Sequence, residues 1–530
     1  MTYIALAAPV TTTSSFNYAW ILLPLTALAI ICADVRWLRV AQREHYSPGT
    51  TARFAWRWWV STPVNCILLV LAVLECIAAG HLLLGEIAPA LVAAAGPVGL
   101  GLRGRTSRLA WTRRLTQVAL VTVGLEALAI ALAAAFGDLR WAVIVAGVCA
   151  ITCPIVVDGA LALLRPIEDV LAQRYVKRAS LVLAEVHPTV VGITGSYGKT
   201  STKNYVAHLL AGDRSVVASP RSFNNRAGLA RTVNEHLAPR TDVLVAEMGA
   251  YGPGEISALC SWLRPELAVI TSIGPAHLER FGSLERTLAA KAEITALARV
   301  VVLNSDDERL EQLAKALETS HKVVRASGTH SSADLAVLAH GDGLELFVAG
   351  KPLGVALLPE SSIAPIRSNA ACAAAVAIEL GVSAEIVVRR LASLPEVPNR
   401  LQRHQAAAGY SVLDDTFNSN PAGARRALEV LKSEAPKGRR VLVTPGMVEL
   451  GRTQNEENAD LAECAAKIAT DIVVVGRTNR AALVRGAKRC DRPPVMELVR
   501  TRDEAVEWAR RRLGPGDAVL FENDLPDHFP

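Results

Sequence analysis

The stretch Thr189-Val190-Val191-Gly192-Ile193-Thr194-Gly195-Ser196-Tyr197-Gly198-Lys199-Thr200-Ser201 decides how the chain is read. Residues 189–194 are a short β-branched, apolar run and are expected to form a buried strand. Glycines then let the backbone curl so that its N–H groups face phosphate oxygens. The helix expected next adds partial positive charge at its N-terminus. In that arrangement Lys199 reaches the β- and γ-phosphates and the Thr200 hydroxyl ligates Mg2+. The common eight-residue consensus asks for glycine at 193, where this chain has Ile193. The order strand, loop, Gly-Lys-Thr, helix is otherwise kept. Nucleotide binding is therefore expected, with Gly195, Ser196, Tyr197, Gly198, Lys199, Thr200 and Ser201 as the phosphate loop.

Beyond the loop, strand-like runs at Asp242–Ala246 and Leu267–Thr271 alternate with stretches whose apolar residues recur three and four apart. This is the pattern of a parallel sheet covered by helices. Residues 334–358 alternate around Gly341-Asp342-Gly343 and predict a hairpin beside that sheet. Ala370–Leu380 predicts an alanine-rich helix. Near Pro398 the pattern restarts, with strands at Val412–Leu413, Val441–Thr444, Asp471–Val475 and Ala518–Phe521 and helices at about 421–433, 455–469 and 502–513.

Before the loop the chain has a different character. Residues 1–164 hold no lysine, eleven arginines and seven acids, and seven of the nine tryptophans precede residue 142. A membrane-crossing helix needs about 20 mostly apolar residues. Phe16–Ala33, Val60–Ala79, Leu82–Leu102, Thr116–Phe136 and Trp141–Leu164 are five such runs, the third interrupted by Glu86, Pro89 and Pro97. Arginines cluster after the first run (Arg36, Arg39, Arg43, Arg53, Arg57) and after the third (Arg103, Arg105, Arg108, Arg113, Arg114). The positive-inside rule places both clusters in the cytoplasm, and with five spans the rest of the chain emerges there too. Trp56, Trp58, Trp59 and Trp141 read as interfacial anchors. Glu75, Glu86, Glu126 and Asp158 fall in or beside spans, where an acid is either a functional candidate or a helix-packing group. A connecting helix is expected over 166–187, started by Pro166 and stopped by Pro188.

The fold class is thus α/β: an N-terminal α-helical transmembrane bundle (1–165), a P-loop-type parallel-sheet ATPase domain (166–400) and a smaller Rossmann-like C-terminal domain (401–530). The net charge, 56 basic minus 50 acidic residues or +6, is too small and dispersed to indicate a nucleic-acid partner. Nine scattered cysteines with no Cys-x-x-Cys pair read as small apolar residues in a reducing compartment; Cys149 and Cys153 stand four apart inside an apolar span.

Further motifs follow the loop. They are Ser222-Phe223-Asn224-Asn225-x-x-Gly228, Glu247-Met248-Gly249 with Gly254-Glu255-Ile256, Ile273-Gly274-Pro275-Ala276-His277-Leu278-Glu279-Arg280-Phe281-Gly282-Ser283, Ala290-Lys291-Ala292-Glu293, Arg400, and Asp414-Asp415-Thr416-Phe417-Asn418-Ser419-Asn420-Pro421. Together with the loop they resemble the Mur ligases, the amide-forming enzymes of peptidoglycan precursor synthesis, and most closely the D-alanyl-D-alanine-adding branch. The resemblance covers about residues 189–525.

It implies that ATP phosphorylates a carboxylate, that an amine attacks the acyl phosphate, and that phosphate leaves. Both steps concentrate negative charge, so metal ions and cationic side chains carry most of the catalysis. On this resemblance Lys199, Lys291, His277 and Arg400 are catalytic. Thr200 and Glu247 hold Mg2+ near the ATP phosphates, His277 ligates a second Mg2+, and Lys291, once carbamylated by CO2, is an anionic metal ligand. Asn369, Arg400, Asp414 and Asn418 join the phosphate loop in holding ATP, with Asp415 and Asn420 beside them. The family often has His-Asn where this chain has Pro365-Ile366. The segment Thr444–Gly451 resembles a loop of the amine site, and Asn523-Asp524 is a further candidate.

The resemblance also implies a soluble N-terminal domain that grips a uridine nucleotide, and here apolar runs stand in its place. A cell-wall or lipid-linked precursor carboxylate is therefore the expected acceptor, an amino acid or dipeptide the amine, and membrane lipid a partner. The expected location is the bacterial inner membrane, multi-pass, with cytoplasmic catalytic domains. Two alternatives are a polyglutamate-type amino-acid polymer ligase and a catalytically inactive, nucleotide-sensing membrane scaffold.

Overall fold

The computed structural model describes residues 19–78, 83–102, 109–137, 139–359, 363–417, 419–525 and 528–529. The chain divides into two compact units, residues up to Asp169 together with the tail from Leu525, and Val170–Asp524.

The first unit is helical: α1 (Ala19–Arg43), α2 (Thr50–Trp59), α3 (Pro63–Ala78), α4 (Leu83–Ala95), α5 (Arg113–Phe136) and α6, which begins at Leu139 and runs to Val186. Among the described residues three helices are long and apolar enough to cross a membrane: Ile21–Arg43, Arg113–Phe136 and Leu139–Val186. A fourth is gained only if α2 and α3, bent by 110°, are counted as one span. The five expected spans are corrected on this point. In place of Leu82–Leu102 stands α4, whose 13 residues rise about 20 Å against a hydrocarbon core of about 30 Å. Its end is built by Arg36, a buried guanidinium that donates to the carbonyls of Ala93, Ala94, Gly96 and Leu100 at 2.5–3.1 Å. The expected helix start at Pro166 is also corrected. Pro154 and Pro166 both lie inside the 48-residue α6, each removing one backbone donor without ending the helix.

Trp58 and Trp59 are buried, whereas Trp56 and Trp141 are exposed, so anchoring at an interface is open only to the latter two. The Trp58 indole donates to the carbonyl of tail residue His528 at 2.6 Å, and Phe54 packs on the rings of His528 and Phe529. Asp158 accepts from the backbone N–H groups of Thr51 and Ala52 and so caps the start of α2. The side chains of Glu75 and Glu86 lie outside the described residues.

The second unit carries two mainly parallel sheets. The first has nine strands: β1 (Thr189–Thr194), β2 (Val216–Ala218), β3 (Val243–Glu247), β4 (Leu267–Ile270), β5 (Val300–Asn304), β6 (Lys322–Ser327), β7 (Leu335–His340), β8 (Gly343–Val348) and β9 (Lys351–Leu357). Their order is β2-β3-β1-β4-β5-β6-β7-β8-β9, parallel up to β7 and antiparallel from there. The expected hairpin is therefore a three-stranded extension of the main sheet. On β1, Val191 and Ile193 enter one apolar core and Val190 the other, as a sheet covered on both faces requires. Ile193, where the loop consensus asks for glycine, is fully buried and pairs with Glu247 in register. The helix Arg367–Glu379 buries Ala370–Ala377 almost completely, and those small side chains let its backbone approach the sheet and α7 (Lys199–Leu210).

The second sheet has six strands: β10 (Gln402–Gln405), β11 (Ser411–Asp415), β12 (Arg440–Thr444), β13 (Asp471–Val475), β14 (Val495–Val499) and β15 (Ala518–Glu522), in the order β10-β11-β15-β12-β13-β14. Only β10 runs antiparallel to its neighbour. The carboxyl ends of β1, β3 and β11 carry the residues singled out in the sequence, where ligands sit in open α/β sheets.

Candidate active site

The loop between β1 and α7 is shaped by close approaches. Gly198 is left-handed (φ 84°), and a Cβ there would stand 2.4 Å from Asn369 Oδ1. Gly195 faces Thr271 so closely that a Cβ would meet its Oγ1 at 2.0 Å. The Ser196 N–H donates to Ser272 O and the Tyr197 N–H to Ser272 Oγ, each at 2.9 Å. Ser201, on the first turn of α7, is buried, and Thr200 beside it is half-buried. Lys199 folds back onto the loop, donating to Gly195 O at 2.7 Å. Burial pushes its ammonium below the usual lysine range, against the opposing pull of Glu247.

Glu247 ends β3 and is almost fully buried. Its carboxylate accepts from Asn224 Nδ2 at 3.2 Å and pairs with Lys203 Nζ at 3.3 Å. Oε2 is the oxygen that faces the Lys203 ammonium, so the acid is held between an amide and a cation. Within the Asn-rich segment only Asn224 reaches this acid; Asn225 caps the helix Arg226–His236. Lys203 was not singled out in the sequence. Its signal was its position one turn beyond Lys199 on α7, which puts both on one face.

Lys291, in the helix Leu284–Ala292, is buried over the Phe281 ring. Burial, and secondarily the Lys199 charge, push it down to about 7. Arg400 stacks its guanidinium on Phe417, and burial lowers it against the pull of Glu247 and Asp415. Lys199, Lys203 and Arg400 thus all interact with the single acid Glu247, and Lys291 with Lys199.

A cavity of about 530 Å³ opens beside the loop, lined among others by Tyr197, Gly198, Asn369, Arg400, Asp415 and Arg426; this is an ordinary size for a small-molecule site. Asn369 is buried with its Nδ2 unpaired, and Pro365 and Ile366 form part of the wall. Asp414 and Asp415 are neighbours on a strand and point to opposite faces. Asp415 lines the cavity, and burial raises it to about 6. Asp414 instead accepts from the Thr416 hydroxyl at 2.6 Å. Asn418 lies outside the described residues, and Asn420 caps the helix Pro421–Glu434 from the cavity wall.

His277 is left-handed (φ 56°) and packs edge-on against Tyr251. Its Nδ1–H donates to Glu449 Oε2, which leaves Nε2 as the acceptor face of the ring. Glu449 belongs to the segment Thr444–Gly451. Buried amides hold that segment: Asn458 donates to Met447 O, Asn479 to Pro445 O and Met447 O, and Asn523 to Gly446 O. Glu522 beside them accepts from Thr444 Oγ1 and is pushed up to about 8 by burial. Asp524 pairs with Arg502. The sequence placed this segment near an amine, and the structure brings its Glu449 to His277.

A profile of the Mur ligase middle domain matches residues 193–377, and one of the Mur ligase, glutamate ligase domain matches residues 399–522. The chain is 35% identical over 368 residues, 63% of its length and 70% of the relative's, to UDP-N-acetylmuramoyl-tripeptide–D-alanyl-D-alanine ligase of Mycobacterium tuberculosis. It is 34% identical over 340 residues, 61% of this chain and 74% of the relative, to the enzyme of that name from Escherichia coli. The structure of MurF ligase from Thermotoga maritima in complex with ADP superposes with a TM-score of 0.58 at 26% identity, covering 67% of this chain and 80% of that one.

The Gly198–Asn369 approach predicts that Gly198→Ala weakens ATP binding by roughly tenfold or more, about 1.4 kcal/mol, because the left-handed backbone and the packed amide both resist a methyl group. Calorimetric titration with ATP checks this; an unchanged dissociation constant would refute it.

Proposed function

The chain belongs to the Mur ligase family, and on that premise we propose that it is a membrane-anchored, ATP-dependent ligase that joins an amino acid or dipeptide to a carboxylate on a lipid-linked cell-wall precursor. One observation carries the catalytic part of this reading: Lys199, Lys203 and Arg400 act on the buried acid Glu247, and Lys291 lies within reach of the Lys199 charge. Such an excess of buried positive charge is stable only against a polyanion, and a triphosphate is one.

In this reading the loop N–H groups and Lys199 hold the β- and γ-phosphates, and Arg400 faces the charge that builds as the γ-phosphoryl group moves to the acceptor carboxylate. Asp415, lining the cavity, accepts a ribose hydroxyl in place of Asp414. The unpaired Asn369 amide faces the base. Thr200 and Glu247 would hold Mg2+ near the ATP phosphates, His277 Nε2 would ligate a second ion with a carbamylated Lys291 as a further ligand, and the ions would neutralise phosphate charge. Carbamylation joins the neutral Lys291 amine to CO2 with loss of one proton; an amine pushed down to about 7 is half neutral at cytoplasmic pH. The amine substrate then attacks the acyl phosphate and inorganic phosphate leaves.

Membrane anchoring rests on the composition of α1, α5 and α6. With α3 and α4 entering and leaving on one side as a re-entrant hairpin, three crossings remain. An odd number of crossings supports both arginine clusters and the catalytic sheets lying on the cytoplasmic side, as in the five-span reading. Apolar helices where a uridine-gripping domain is expected support an acceptor delivered at the membrane surface.

The test uses full-length protein in nanodiscs with Mg2+, bicarbonate and ATP, screened on soluble and lipid-linked wall precursors against amino acids and dipeptides. A product heavier by one amine less water, absent with Lys199→Ala, is expected on the lipid-linked acceptor. Turnover on soluble acceptors that is unchanged when residues 1–165 are removed would overturn the membrane-surface part. A ladder of product lengths would point to the polymer ligase.

For Lys291, 13C-bicarbonate NMR is expected to show a carbamate signal that grows from about pH 6 to about pH 8, because CO2 takes only the neutral amine, which dominates above about 7. It should be missing in Lys291→Ala.

For Glu449, which orients a metal-facing histidine through its far nitrogen, Glu449→Gln is expected to raise the half-saturating Mg2+ concentration about tenfold or more. ATP affinity without metal should stay unchanged. Equal Mg2+ dependence in both proteins would refute the orienting role.

A further inference from the structure

We propose that the helical unit binds a divalent zinc-class ion through Asp34 of α1, Glu126 of α5 and Cys153 of α6. These residues come from the three helices long enough to cross a membrane. One ligand atom from each lies within 4.8 Å of the others, and all three residues are buried. Cys153 Sγ stands 3.1 Å from Asp34 Oδ1. Tetrahedral zinc with its usual bond lengths separates such ligand atoms by about 3.3–3.5 Å, so the thiol and Asp34 open slightly while wider pairs close in.

A second observation points to a missing cation. Glu126 is 3% exposed, neither of its oxygens accepts a hydrogen bond from a donor group, and it lies against the carboxyl of Asp34. The remaining buried acid that the sequence singled out, Asp158, is satisfied by backbone N–H groups. Nor is Arg36 the partner, since it donates to four carbonyls around the end of α4. Its charge still reaches Cys153 and helps balance a site of two carboxylates and one thiolate around a doubly charged ion.

Two buried carboxylates without a cation are incompatible with an apolar bundle, so either a metal ion or a shared proton must be present. The thiol, which donates to Asp34 Oδ1, favours the metal because its thiolate sulfur is a strong zinc ligand. Binding releases the Cys153 thiol proton and the proton shared by the two carboxyls, and leaves the metal oxidation state unchanged. The ion then pins α1, α5 and α6 together, a role separate from the ligase site.

Full-length protein, purified in detergent without a metal-affinity step, is analysed for zinc by mass spectrometry and titrated with Co2+. The expected result is a single zinc per chain and a thiolate-to-cobalt absorption band. Both should be lost in Cys153→Ser and Glu126→Gln and kept in Cys66→Ser. The cobalt spectrum of the unaltered protein requires no variant to fold. Absence of the thiolate band would overturn the proposal, and so would zinc content unchanged in Cys153→Ser, which places the ion elsewhere. An infrared band of a protonated carboxyl group that vanishes in Glu126→Gln would show that a shared proton occupies the site instead.

Discussion

Buried positive charge around Glu247 is the constraint from which the catalytic half of the molecule follows. Lys199 and Lys203 are one turn apart on α7, so the helix that starts at the phosphate loop aims both at the end of β3. The parallel register of β1 and β3 sets Glu247 opposite Ile193, two residues before the loop begins. Burial destabilises each ammonium, and a single carboxylate compensates them incompletely. The consequence is graded. Lys203 retains its ion pair with Glu247, Lys199 leans on loop carbonyls, and Lys291, which faces another lysine, is the one brought close to neutrality. A lysine that is neutral near physiological pH is chemically different from its charged neighbours, and that difference arises from packing alone.

The segment Thr444–Gly451 is the counterpart on the second sheet. Gly446 is left-handed, and a Cβ there would collide with Asn458. Asn458, Asn479 and Asn523 come from two helix regions and the end of β15, and each donates to a carbonyl of the segment. Such a fully satisfied polar shell makes a rigid loop. Rigidity matters because Glu449, itself left-handed, must meet His277 on the other sheet's loop. The backbone N–H of Glu279 also donates to Glu449 O. Side chain and backbone of one residue therefore join the two sheets at the histidine.

Most of the catalytic half was legible in the sequence because it is local. A strand, a glycine turn and a helix in register announce a phosphate loop, and Ile193 departs from the consensus because that position belongs to the strand core. What escaped depends on direction or on distant partners. Asp414 and Asp415 are equivalent in sequence, but strand alternation turns only one to the cavity. Lys203 looks like any helix lysine until Glu247 is placed beside it. Strands β5, β6 and β14 were not singled out, since short apolar runs do not separate strand from helix by periodicity. In the helical unit, hydropathy located the apolar runs but not their ends. Arg36, which reads as a loop charge after a span, is a buried group that closes α4.

The two units solve opposite electrostatic problems. In an apolar bundle every polar group must find a partner inside the protein. Arg36 and Asp158 do so through backbone atoms at helix ends, which carry fixed partial charges and need no counter-ion. Asp34 and Glu126 have no such helix end to serve and face each other and the Cys153 thiol. The catalytic site has the reverse imbalance, an excess of cations around one acid. A folded chain tolerates either surplus only when something outside it completes the charge. The sign and shape of each surplus define what that something is: an extended polyanion at the loop of β1, and a compact cation among α1, α5 and α6.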